Sequence, residues 1–366
     1  MTSRERLLAA FQLQPVDRLP INIRGVRAWD PDWVETRDPS YRPLIDAVTE
    51  HGDYNDTWGA PAGLFYSAAD VTTTETWTED RDDWIANYTL YHTPGGDLRS
   101  MYLSSKTGMP GMQMEFMVKD LADLDKVLSV PYEPSRPDCA PFFARVEEMS
   151  ERGLVHCGIH NGLTMLHNLM GSELLAIWSL TDRPRLMELI WLFHRRCLDL
   201  VDYLLDQGVG PVFAMSGEEY VTPPLHSAHD FHEFVVEPEK ELAEHLHARG
   251  GLLHIHCHGP LTHVLEDFLE LGPNCLHPLE APPMGDVTLE DAKRRIGHRI
   301  CLEGNIQIGD LYAGKTEDII AQIRHNYQIT GNRGYILCPT ASPHTPTLSD
   351  LTVRNYLAMI KTAASL

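Results

Sequence analysis

No stretch of this 366-residue sequence approaches the roughly 18 uncharged apolar residues that a membrane span needs. Basic residues are also scarce. With 30 Lys and Arg against 52 Asp and Glu, the formal net charge is -22, spread along the chain and not gathered in a tail. Such a balance speaks against nucleic acid or an anionic membrane surface as a main partner. The seven cysteines form no CxxC pair and no short-spaced framework, so they read as small core residues in a reducing compartment. The opening MTSRERLLAAFQ has only a short apolar stretch and no small-residue cleavage site after it, which predicts a cytoplasmic protein. There is no GxGxxG after the first predicted strand, no Walker loop and no GxSxG elbow. Dinucleotide, P-loop and serine-hydrolase chemistry lose their usual signatures.

What is present is a rhythm. From residue 150 onward short apolar runs recur, each closed by Gly, Pro or a polar cluster: LVHCGIHN, PVFAMSGEE, LLHIHCHG, CLHPLEAP, RICLEGNI and YILCPTAS. Long amphipathic stretches such as SELLAIWSLTDRPRLMELIWLFHRRCLDLVDYLLDQG lie between them. Nearer the start, RLPINIRG reads as a first strand and DYNDTWG as a second, with a helix between them. Alternating strands and helices predict a parallel sheet, and about eight strands predict a (β/α)8 TIM barrel forming one domain over residues 1–366. Residues 65–118 break the rhythm. TTTETWTED, WIANYTLYHTPGGDLRSMYL and MQMEFMV alternate with period two around a Pro-Gly-Gly turn, which predicts an antiparallel hairpin inserted into the barrel as a lid or interface.

Barrels gather the carboxyl ends of their strands at one mouth, where active sites form. Here those ends carry His160 and Asn161, Glu218 and Glu219, His256 and His258, His277 and Glu280, Glu303 and Asn305, then Cys338 and Ser342. Repeated ligand-type side chains at the ends of apolar strands are costly unless a polar pocket receives them. In HIHCHG, strand alternation places His254, His256 and His258 on one face and Ile255 and Cys257 on the other. Residues i and i+2 on a strand are about 7 Å apart, so His256 and His258 can reach one metal ion, with His254 orienting a ligand from deeper on the same face. The remaining donors are sought in Glu219 or Glu218 and in Cys338, with His344 in reserve. A mixed set of His, Cys and carboxylate suits zinc. Cys338 as plain core and Glu218 as a helix-start charge remain open alternatives. Glu280 is either a loop carboxylate held by backbone amides or a substrate contact.

Several long segments together resemble the uroporphyrinogen decarboxylase superfamily. They are TSRERLLAAFQLQPVDRLPI, GLTMLHNLMGSELLAIWSLTDRP, SGEEYVTPPLHSAHDFHEFVVEPEKELAEHLHARGGLLHIHCHG, CLEGNIQIGDLYAGKTEDIIAQI and ILCPTASPHTP. Its porphyrinogen branch holds tetrapyrrole carboxylates with an N-terminal arginine motif, of which only Arg24 and Arg27 remain here. The resemblance is nearer to the cobalamin-linked methyltransferases, whose zinc is held by a His-x-Cys pair and a later Cys. On this register His256 matches the His, His258 stands in the place of the Cys, and the later Cys falls at Ala341, three residues after Cys338. The resemblance implies a metal held by His256, His258, Cys338 and Glu219, acting as a Lewis acid on the heteroatom that gains or loses a methyl group. It also implies cobalamin carried by a separate corrinoid protein, a small-molecule methyl donor or acceptor, and a homodimer. Glu219, Glu280, His160 and Asn161 are the catalytic candidates, and Arg24, Tyr220 and Asn305 the substrate-binding ones. The rival expectation is a metal-free decarboxylase or lyase of a small carboxylic acid, with His256 or His258 as general acid and Arg24 clamping the carboxylate; a non-catalytic ligand-binding barrel is the third.

Overall fold

The computed structural model describes all residues, Met1–Leu366. After three short N-terminal α-helices (Ser3–Phe11, Pro31–Glu35 and Arg42–His51) comes β1 (Tyr54–Gly59), followed by an antiparallel group of β2 (Thr73–Arg81), β3 (Trp84–Thr93), β4 (Gly96–Ser105) and β5 (Met112–Glu115). The six later apolar runs form β6 (Gly153–Gly158), β7 (Val212–Ser216), β8 (Leu252–Cys257), β9 (Cys275–Pro278), β10 (Cys301–Ile306) and β11 (Tyr335–Pro339). Strands β1 and β6 to β11 make one seven-stranded parallel sheet in chain order, as α/β alternation requires. No helix is long and apolar enough to cross a membrane.

The expected closed eight-stranded barrel is not formed. The segment read as a first strand contributes only one parallel bridge, Ile21 to Leu337. The physical reason is local: Pro20 has no amide hydrogen to give a ladder, and the Ile21 amide is taken by the Asp53 carboxylate at 3.0 Å. Asp53 also accepts from Arg6 at 2.6 Å and Arg18 at 2.8 Å, so the N-terminal segment is pinned by charge-assisted bonds instead of a strand ladder.

The chain packs as two compact units. The first comprises residues 1–59, 139–159 and 208–366 and holds the whole parallel sheet. Its floor is apolar: Leu154, Val212, Leu252, Cys275, Cys301 and Ile336, one from each of β6 to β11, pack with Leu7, Ala10 and Phe11 of the N-terminal helix. That helix, Ser3–Phe11, opens with a capping box in which Thr2 accepts from the Glu5 amide and Glu5 accepts from the Thr2 amide.

The second unit comprises residues 60–138 and 160–207. The predicted antiparallel insertion is present, widened from one hairpin to four strands in the order β2-β3-β4-β5. Thr93 pairs with Gly96 across Pro94 and Gly95, the turn expected from the sequence. Two long helices, Gly162–Thr181 and Arg183–Asp206, accompany this sheet.

Candidate active site

Two residues up from the floor on the inner face of the parallel sheet, the side chains change character. His156 on β6, His254 on β8, Glu303 on β10 and Cys338 on β11 are all nearly or fully buried. The rings of His156 and His254 lie 5.3 Å apart, and His254 Nε2 donates to Glu303 at 2.9 Å. Each of these contacts spans two strand spacings, about 9.5 Å in a flat sheet. The sheet curls here, and the small side chains of Ala214 and Cys275, on β7 and β9 in register with His254, leave the room. Burial alone would raise the Glu303 carboxyl, but the bonds from His254 and from Asn22 (2.6 Å) hold it well below the usual carboxylate range. His254, Cys275 and Glu303 bring one donor atom each within 4.8 Å of one another.

The next level up contains the predicted pair. His256 faces His277 on β9, with their Nδ1 atoms 2.7 Å apart. The far nitrogen of His277, Nε2, is 3.1 Å from the Pro339 carbonyl and 3.5 Å from the Cys338 sulfur. A carbonyl only accepts, so His277 is protonated on Nε2 and its Nδ1 accepts from His256. Nδ1 of His256 is therefore the protonated nitrogen, and its Nε2 keeps a lone pair. On His258 it is again Nδ1 that is engaged, donating to Glu280 at 3.0 Å, and Nε2 is the other ring nitrogen. Glu280 is fixed by the Gly259 amide at 3.0 Å. Burial, reinforced by His277 and Arg24, drives the His256 pKa far below the ordinary imidazole value, and burial takes His277 to about 3. Both rings are neutral near pH 7. The His256 and His258 rings meet edge to face at 4.6 Å.

The four predicted metal donors thus divide. His256 adjoins His277, which in turn touches Cys338, while His258 adjoins Glu280. Glu219 accepts from the Gly217 amide at 3.2 Å, on the turn where Gly217 adopts φ +111°. Its carboxyl is raised by burial and by Glu280, and partly lowered by backbone bonds and by His258. Cys338 is a buried thiol pushed up by desolvation. Tyr220 follows Glu219, and burial and the two neighbouring carboxylates push its phenol up.

Arg24 lines a polar cavity in the first unit with Asn22, Asn55 and Ser342. The loop there depends on Gly25, whose φ is +79° and where a Cβ would lie 2.4 Å from Ser342. Asn305 accepts from Asn326 at 3.0 Å, a residue of the helix Thr316–Thr330. His160 and Asn161 belong to the second unit. The His160 amide donates to the Tyr66 hydroxyl at 2.7 Å, and Asn161 caps the helix Gly162–Thr181 by accepting from the Thr164 amide at 2.6 Å. Reading from strand ends alone gave no site role to His156, Asn22 or Asn55. The first lies mid-strand, two residues above a floor position, and the alternation LVHCG is the signal that could have found it.

The family model described as "Uroporphyrinogen decarboxylase (URO-D)" matches residues 146–363. No curated protein matches the chain. Among solved structures, a methyltransferase from Methanosarcina mazei aligns over 100% of this chain and 99% of its own, with TM-score 0.65 and 16% identity. A B12-independent methionine synthase from Shewanella sp. W3-18-1, in complex with selenomethionine, aligns over 95% of this chain and 97% of its own, with TM-score 0.50 and 10% identity. At these identities the likeness is one of fold.

Proposed function

Because the chain belongs to the uroporphyrinogen decarboxylase family, we propose that it is a metal-dependent methyltransferase or demethylase working with a separate corrinoid protein. One observation carries the reading: His256 and His258 both spend Nδ1 on protein acceptors, so Nε2 is the ring nitrogen that each of two neighbouring imidazoles has left to offer a metal ion. Metal-binding histidines are characteristically oriented by a bond from the other ring nitrogen. These two residues fit a divalent ion, zinc foremost, and Glu219, whose charge interacts with that of His258, supplies a carboxylate. Cys338 stands behind this group through its contact with His277. A bound ion would supply Lewis acidity to the heteroatom that gains or loses the methyl group.

The chain's own residues do the rest. His277 and Glu280 hold the two imidazoles in one tautomer. The raised carboxyl of Glu219 suits proton exchange with the substrate heteroatom. Arg24 takes an anionic group of the substrate. The descriptions of the two solved structures as methyltransferase and methionine synthase support methyl transfer as the reaction class. The second is B12-independent by its description, so the corrinoid partner rests on the sequence resemblance and is separable from the metal.

The test is metal analysis of protein purified without chelators, together with methyl transfer between a methoxylated or methylated amine substrate and a corrinoid. The expected result is one metal per chain, lost in the double variant His256→Ala, His258→Ala, with activity falling on the order of a hundredfold or more. Wild-type protein free of metal contradicts the reading. A metal-free decarboxylase of a small acid is then favoured, because the Arg24 guanidinium makes no ion pair and is free to clamp a carboxylate.

A further inference from the structure

The helix Gly162–Thr181 is broken at Gly171, whose φ of +74° takes the backbone out of the helical region. Phe116, just after β5, seats in that break, where a Cβ would lie 2.4 Å from its ring. Beside it, between β5 and the rest of the helix, is a cavity of about 470 Å³. Met114, Phe116, Met170, Leu174 and Ile177 give it apolar walls, and all of them belong to the second unit. The apolar surface continues past the cavity. Ile177 is 47% exposed, and Leu180, one turn further on, is 85% exposed, the most of any large apolar side chain in the chain. A single exposed leucine is ordinary, but one that protrudes beside an apolar hollow marks an interaction site.

Two features say what covers this face. Leu174, in the cavity wall, and Leu180, the protruding side chain, lie three residues to either side of Ile177, so all three share one helix face. Hollow and knob thus sit at equal distances from Ile177, which makes the face complementary to itself about a two-fold axis beside that residue. The charges agree. Glu115, Lys119 and Glu173 line the cavity, and Arg99 binds Glu115 at 2.9 Å, so the charges around it cancel. On a chain of net charge -22, a neutral face is where a second, equally acidic copy meets least repulsion.

We infer that this face is the isologous interface of a homodimer. Residues 172–181 pack antiparallel on the same segment of a second copy, Ile177 meets Ile177, and the Leu180 of each copy enters the other's cavity. The methionine in the cavity wall, unbranched and adaptable, closes around the inserted side chain. The interface involves neither the proposed metal donors nor the corrinoid protein, so it stands or falls apart from the functional reading.

The test is the mass of the full chain in solution, by sedimentation velocity over a range of concentrations. Wild type is expected to be a dimer in the low micromolar range, with a melting temperature that rises with protein concentration. Leu180→Arg is expected to weaken dimerisation by at least about tenfold and to abolish that concentration dependence; the side chain is almost wholly exposed, so the folded monomer is retained. All seven native cysteines are buried, so a new surface thiol reports without background. Ile177→Cys is expected to form a disulfide-linked dimer under mild oxidation, whereas Leu225→Cys, exposed in the first unit, is not. A wild type that is monomeric at every concentration overturns the inference. So does a dimer that survives Leu180→Arg unchanged or in which Ile177→Cys does not cross-link, since its interface then lies elsewhere.

Discussion

The floor and the histidine level of the parallel sheet are built by the same strands, two residues apart, yet they carry opposite burdens. The floor presents Leu154, Val212, Leu252 and Ile336 to the N-terminal helix and has no polar side chain to satisfy. The level above presents His156, His254, Glu303 and Cys338, equally buried, and survives because partners reach across the curl of the sheet. Strand alternation decides which residues face inward; the difference between adjacent levels shows that inward does not mean apolar. One level supplies cohesion, and the next spends some of it on the buried Glu303 carboxylate and the His254 and Asn22 donors that hold it.

The comparison breaks most severely if the buried charge is removed. Glu303→Leu leaves His254 and Asn22 buried without their acceptor, and should destabilise the protein by about 3–5 kcal/mol, measured by chemical denaturation. In the floor, Leu154→Ala should cost about 3 kcal/mol through lost transfer energy and the cavity left behind, with metal content unchanged. A larger loss from Leu154→Ala than from Glu303→Leu would mean that the histidine level contributes little to holding the fold.

Acid separates the two levels further. His156 is held to about 3 by burial, whereas an unfolded histidine titrates near about 6.5. Between those values the unfolded state binds the extra proton, so stability falls as pH is lowered from about 6.5 to about 3. His156→Phe should flatten that dependence by as much as about 1.4 kcal/mol per pH unit, read from melting curves at several pH values. Glu303 acts in the same direction at lower pH: its depressed carboxyl contributes stability above the unfolded glutamate value of about 4.3 that is lost below it. The smallest effect is expected at the edge of the floor. Thr2→Ala removes half of the capping box of the helix Ser3–Phe11 and should cost about 1 kcal/mol, with no change in the pH profile.

Much of the strand plan was legible because period and punctuation are local. All six runs after residue 150 became strands, and so did DYNDTWG. RLPINIRG did not, because the carboxylate that captures the Ile21 amide lies 32 residues away. The site was legible only as an inventory. HIHCHG announced His256 and His258, but the assignment of their ring nitrogens depends on Pro339 and Glu280, which no spacing rule connects to them. Cys338 was singled out as a thiol for the same ion as His256, whereas its sulfur rests against His277. Asn305 was read as facing substrate, and its side chain bonds to Asn326.

The central claim is that His256 and His258 both keep an Nε2 lone pair directed by His277 and Glu280. Nitrogen-15 NMR of histidine-labelled, chelator-treated protein, assigned with single His256 and His258 variants, reads the tautomers directly. Both rings are expected to be protonated on Nδ1, and stoichiometric Zn²⁺ is expected to shift both Nε2 resonances and leave both Nδ1–H signals in place. Protonation on Nε2 of either ring, or Nε2 resonances unmoved by Zn²⁺, would contradict the account.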